Sequence, residues 1–202
     1  QLVYNADGYY SYVFATDIRD PKKTNGVVFE PDRTHRVVIQ LSYKNAAGET
    51  VLVNPYIDFT VDAAGKSVFV TDPSKTRKMA DVTSCNGCHD KLALHGGGRV
   101  DTQYCVMCHN PNNVNDERVE RFEGKTVTAQ SVAFPRMIHR IHMGSALAQK
   151  PYLLGSFPAP TKANPAGTPI DFSETRFPGD LSSCPTCHAG ATFLLPLPLD
   201  RL

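Results

Sequence analysis

The sequence of 202 residues has no tryptophan and no run approaching the roughly 18 consecutive apolar residues that a membrane span requires. It also has no basic stripe: 21 Lys and Arg stand against 20 Asp and Glu, evenly spread, for a formal charge of +1. That balance argues against nucleic acid and against anionic lipid as partners. Cysteine is missing from the whole stretch before Cys85, so no disulfide can staple that part. Apolar content is modest at 41%, while 14 glycines and 15 prolines make loops plentiful. Part of the core is therefore expected to be something other than protein. The chain opens at Gln1 with no signal-like n-region or h-region. It enters strand-like sequence at once (LVYNADGYYSYVF) and ends on LLPLPLDRL, which reads as a mature form or, better, a piece of something longer.

What is present divides near residue 78. Residues 1–78 read as an antiparallel β-sandwich-like domain, Ig-like or split-barrel-like and open to being incomplete. YYSYVFA alternates, HRVVIQLSY and TVLVNPYIDFTV flank an Asn45–Gly48 turn, and KSVFVTD follows a second turn at Asp62–Gly65. Residues 79–202 hold every cysteine and six of the seven histidines. Two segments there look helical, one near 78–95 and one in FPRMIHRIHMGSALAQK, where Pro135 suits a first helical turn. Residues 144–183 read as a Pro/Gly-rich loop too long to stand without a structural partner. The overall class is thus α+β or irregular: a β domain, then a loop-rich domain with few short helices.

The stretch CNGCHDKLALHGGGRVDTQYCVMCH, residues 85–109, raises a choice of metal. Cys85 and Cys88, followed by Cys105 and Cys108, have the spacing of a structural zinc site. Each pair is also followed directly by a histidine, His89 and His109, which is the C-x-x-C-H pattern of haem attachment. A third unit, Cys184-Pro185-Thr186-Cys187-His188, favours haem. With seven histidines in the chain, three such placements by chance have odds on the order of 1 in 20,000. Zinc would also leave Cys184 and Cys187 without a partner pair. Two thiols three residues apart can each form a thioether with one vinyl group of a single haem, and the adjacent histidine then reaches the iron.

Three haems with His89, His109 and His188 as proximal ligands need three distal ligands. The cysteine-bearing region offers three further histidines, His95, His139 and His142, so the count closes on bis-histidine iron throughout. On a helix, His139 and His142 stand about 60° apart in azimuth and about 4.5 Å in rise, which suits two neighbouring haems and not the two sides of one iron. His95 sits before three glycines that allow close backbone approach to a flat macrocycle. The pairing of distal histidines with haems is not set by the sequence. His35 reads as a structural residue of the β domain, Met107, Met137 and Met143 as weaker axial candidates, and Arg99, Arg136 and Arg140 as candidate propionate partners. Six ionised propionates would move the net charge to roughly −5.

SCNGCHDKLALHGGGRVDTQYCVMCHNP, MIHRIHMG and FPGDLSSCPTCHAG, with THRVVIQ in the β part, resemble the OmcA/MtrC-type outer-membrane multihaem cytochromes of metal-reducing bacteria. The resemblance implies a β domain beside a haem domain, closely spaced bis-histidine haem c groups, and electron export. The expected function is electron transfer to extracellular acceptors (metal oxides or shuttles) or to neighbouring cytochromes, further haem domains or protomers. No bond-making catalysis is expected, terminal metal reduction being the exception, and the location is the outer-membrane surface or extracellular space, with the periplasm an alternative. Members of the family carry about ten haems where this chain has three sites, and the β-domain disulfide frequent among them has no cysteines to form it here. Two rival readings are a multihaem reductase of a small oxyanion with one open iron, and a binding module whose β domain anchors the chain.

Overall fold

In the computed structural model, the described residues are 1–76, 78–111, 121–122, 125–126, 130–155, 169–190 and 192–194. Every strand pair among them is antiparallel, and the helices are few and short, as the sequence pattern predicts. Strands β1 (Leu2–Tyr4) and β2 (Tyr10–Tyr12) form an N-terminal hairpin. A three-stranded sheet runs in the order β3 (His35–Val38), β6 (Tyr56–Val61), β7 (Ser67–Phe69). A separate hairpin joins β4 (Leu41–Lys44) to β5 (Thr50–Val53).

HRVVIQLSY and TVLVNPYIDFTV therefore each divide into two strands with different partners. The break in the second falls at Asn54–Pro55, where proline can donate no ladder bond. The break in the first lies opposite, closed by the Ile39 N–H donating to Pro55 O at 3.0 Å. The two turns form by one device. Asn45 Oδ1 accepts from the N–H groups of Ala47 and Glu49, and Asp62 Oδ1 from those of Ala64 and Lys66.

Among the described residues the cysteine-bearing part contains three α-helices where sequence periodicity gave two. Helix α1 (Val82–His89) is shorter than the expected 78–95 span, ending where Asp90 turns to φ 54°. Helix α2 (Thr102–Cys108) was not legible as a helix, because Thr, Tyr and Val favour strands. Helix α3 (Phe134–Met143) has Pro135 in its first turn as expected. It stops at Gly144, where a Cβ would collide with the carbonyls of Phe172 and Thr175. A two-residue ladder, β8 (Arg121–Phe122) with β9 (Lys125–Thr126), precedes it.

The segment read as one long loop, 144–183, contains a further ladder, β10 (Leu153–Gly155) with β11 (Pro169–Asp171). Residues 156–168 of that loop and the apolar tail at 195–202 lie outside the described residues. Among the described residues the buried apolar side chains are Tyr152, Leu153 and Leu154 alone. Tyr9, Val28 and Phe69, by contrast, are about 70% exposed. So little buried apolar surface fits the expectation that something besides protein completes the interior.

The β part and the cysteine-bearing part are joined by buried polar contacts. Arg36 on β3 forms a two-bond ion pair with Asp58 on β6, and its third nitrogen donates to Gln103 Oε1 on α2 at 2.6 Å. Asn54, at the β5–β6 junction, bonds the backbone of residues 98–100. No helix is long and apolar enough to cross a membrane among the described residues.

Candidate haem-iron sites

The three C-x-x-C-H units share a local architecture that begins before the first cysteine. An aspartate stands four residues upstream in each: Asp81, Asp101 and Asp180. Its Oδ1 accepts from the N–H two residues on, at Thr83 (2.9 Å), Gln103 (2.7 Å) and Ser182 (2.8 Å). At α1 and α2 this caps the helix and satisfies an orphan donor; at the third unit the Asp180 bond forms a turn just ahead of the 3-10 turn at Cys184–Thr186, whose N-cap, Ser183, makes no side-chain cap bond. The histidine closes the turn, with His109 N–H donating to Cys105 O at 2.9 Å and His188 N–H to Cys184 O at 3.0 Å. Each turn thus presents two thiols three residues apart on one side, as attachment to one macrocycle requires. The Asp-x3-Cys-x2-Cys-His repeat was present in the sequence as an N-cap signal and was missed there.

Asp81 shows what the cap contributes. The Lys78 ammonium first, then the Thr83 N–H and hydroxyl, hold its carboxyl at about 2. A depressed carboxyl pKa stabilises the fold fully above the unfolded value of about 4 and loses that effect as pH falls through the folded value. Asp81→Ala is expected to cost about 1 kcal/mol at pH 7. In thermal unfolding, the gap between variant and parent should shrink steadily below pH 4 and be largely gone near pH 2. A gap independent of pH would refute the charged-cap account.

The six histidines of the cysteine-bearing part come together as three pairs, each joining a motif histidine to one outside a motif. His89 faces His142 with ring centres 6.0 Å apart and planes at 78°. His95 faces His109 at 5.9 Å and 32°. His139 faces His188 at 6.1 Å and 58°. Two metal–nitrogen bonds of about 2 Å, plus about 1.1 Å from each ring centre to its nitrogen, require a separation of about 6 Å. All three pairs meet it.

Hydrogen bonds fix the tautomer of three rings. His109 Nδ1 donates to Val132 O at 2.9 Å, His142 Nδ1 to Ile138 O at 2.9 Å, and His188 Nδ1 to Met79 O at 2.8 Å. A carbonyl only accepts, so Nδ1 carries the proton and Nε2 keeps its lone pair for a metal. At His139, burial first and then His188 and His142 lower the pKa, which favours the neutral, ligating form. His35 lies apart, bonded to Glu30 O and stacked on Phe29, as a structural residue of the sheet.

The zinc-like spacing does not translate into a zinc-like cluster. All six cysteines are free thiols, and among the described residues no three His, Cys, Asp or Glu side chains gather as a metal site. Burial first, and Asp101 next, push the Cys105 thiol up to about 11, so it stands protonated at neutral pH. Among the described residues, three buried side-chain polar atoms lack a partner: Arg99 Nε, Arg140 Nε and the Tyr152 hydroxyl. The Arg140 guanidinium lies 4.6 Å from the centre of the Tyr152 ring. Orphaned donors are costly unless an acceptor completes them, and haem propionates are acceptors of the right charge. Arg136 is exposed and does not share this feature. The residues therefore fit haem on three counts: thiol spacing, ring separation and unfilled donors.

Comparison with known proteins agrees. One relative, "Multiheme cytochrome MtrC" of Shewanella baltica (strain OS185), is 31% identical over 113 residues, covering 54% of this chain and 16% of that protein. The chain thus spans a small part of the relative's length. No solved structure matches. Residues 77–197, more than half of the chain and including all three motifs, match the family described as "Outer membrane cytochrome MtrC/MtrF-like, domains II/IV", and the chain belongs to that family of outer membrane cytochromes.

Proposed function

We propose that this chain is an electron-transfer unit carrying three covalent haem c groups. Cys85 and Cys88, Cys105 and Cys108, and Cys184 and Cys187 would hold them, with axial pairs His89/His142, His109/His95 and His188/His139. The observation that carries this reading is the separation of about 6 Å in each of three independent histidine pairs. When bound, each haem would supply one-electron exchange, and a histidine pair offered to each iron would leave no position for a substrate.

The rest is the work of this chain's own residues. The capped turns aim the thiols, backbone carbonyls orient the imidazoles, and α3 places His139 and His142 at two different sites one turn apart. Arg99, Arg140 and Tyr152 offer donors to propionates. Residues 1–78 form the β domain and 79–202 the haem domain. The proposed setting is the outer surface of the cell, with electrons passing to other multihaem cytochromes, further haem domains or extracellular acceptors such as metal oxides and soluble shuttles.

The test is the intact mass and the visible spectrum of the protein matured with its haems. Three haems per chain are expected, all low-spin in both oxidation states and inert to carbon monoxide. A stoichiometric high-spin haem would overturn uniform bis-histidine ligation and favour a reductase with one open iron.

A further inference from the structure

The distal histidines differ in how they are held. His139 and His142 are on α3, whose own backbone ladder fixes them. His95 is at the tip of a narrow loop, where Leu94 and Arg99 pair as a single antiparallel bridge. Its backbone takes φ 51°, and Gly96 and Gly97 follow at φ 83° and 88°. A left-handed conformation at a residue with a side chain costs of order 1 kcal/mol or more and persists only where the surroundings impose it. Three successive glycines would otherwise leave the loop free to take many shapes.

A brace on this loop comes from the β part. Asn54 is 6% exposed, between β5 and β6. Its Nδ2 donates to Gly98 O at 3.1 Å, and its Oδ1 accepts from Val100 N–H at 2.7 Å. The side-chain amide thus straddles Arg99 as a neighbouring strand would, and a further bond from Nδ2 to Val53 O (2.9 Å) fixes the amide. Arg99 in turn exchanges backbone bonds with Leu94, beside His95.

We infer that Asn54 is a positioning residue for His95, so that the coordination of one haem, the one attached at Cys105 and Cys108, depends on the β part of the chain. This rests on the bis-histidine reading above. The distal ligands of the other two sites stand on α3, away from the Asn54 contact.

The experiment uses the full chain with its haems and compares the parent, Asn54→Ala, His95→Gly and the double variant. Carbon monoxide binding to the reduced protein, the ferric high-spin band and far-ultraviolet circular dichroism are measured for each. The parent should bind no carbon monoxide. Asn54→Ala should expose one haem of the three at unchanged secondary structure, and added imidazole should restore the low-spin spectrum. The double variant should bind no more than His95→Gly alone, since both changes open the same iron.

A folded Asn54→Ala protein that stays low-spin and inert, or one whose binding adds to that of His95→Gly, overturns the inference. If Asn54→Ala does not fold, Asn54→Asp decides by the same criteria, because it keeps the acceptor for Val100 and loses only the donors. A parent that itself binds carbon monoxide would instead overturn the bis-histidine reading, and so separates the two failures.

Discussion

Replacing His142 with glycine is expected to open the haem attached at Cys85 and Cys88, whereas replacing His139 opens the one at Cys184 and Cys187. The two residues are three apart on α3, about 60° in azimuth, yet their rings face different motif histidines at 6.0 and 6.1 Å. Each glycine variant should acquire one five-coordinate, high-spin iron that binds carbon monoxide, where the parent has none. The spectra alone do not say which iron. Removing the third attachment site with Cys184→Ala and Cys187→Ala does, because the signal of His139→Gly should vanish with that haem while the signal of His142→Gly persists. The reverse result would exchange the two pairings, and survival of both signals would refute the pairing of His139 with His188.

Breaking the Arg36–Asp58 pair should have the largest effect on stability. The side chains are 2% and 3% exposed and meet through two bonds of 2.7 and 2.8 Å, with the guanidinium 4.5 Å from the centre of the Tyr56 ring. Asp58→Ala leaves a buried cation with Gln103 as its remaining hydrogen-bond partner, at an expected cost of about 3–5 kcal/mol. For a chain of this size that lowers the melting temperature by roughly 10 °C or more. Replacing both partners with apolar residues of similar volume should cost much less, since no charge is then stranded. A loss below about 1 kcal/mol for Asp58→Ala would mean that water reaches the pair, against the burial described.

The proposed haem sites can be read from sequence alone because thioether attachment demands contiguous residues. Two thiols and a ligand must follow one another, and no long-range fold is needed to read that. The role proposed for α3 is partly legible for the same reason: a three-residue spacing already argues against His139 and His142 sharing an iron. Which ring meets which depends on contacts over long separations, such as His188 to Met79, and periodicity carries no trace of those. The β part shows the same limit. Alternation marked HRVVIQLSY as extended, but the change of partner between Val38 and Leu41 is set by Pro55, far along the chain. The ladder at Leu153–Gly155 was missed because three residues are too few for a period to register.

The plane angles of the histidine pairs have a consequence for the energies of the irons. Were these pairs to hold haem iron at the angles seen, planes near 78° would leave the two metal orbitals that interact with the ligand π systems almost degenerate, and planes near 32° would separate them. With ligands of one kind throughout, the proposed irons would still be electronically unequal, the pair at 58° standing between the others. At each site one ring of the pair is held by an ordinary backbone carbonyl, Val132 for His109, Ile138 for His142 and Met79 for His188. Small rotations of the main chain beside the proposed ligands would thus grade the landscape an electron crosses.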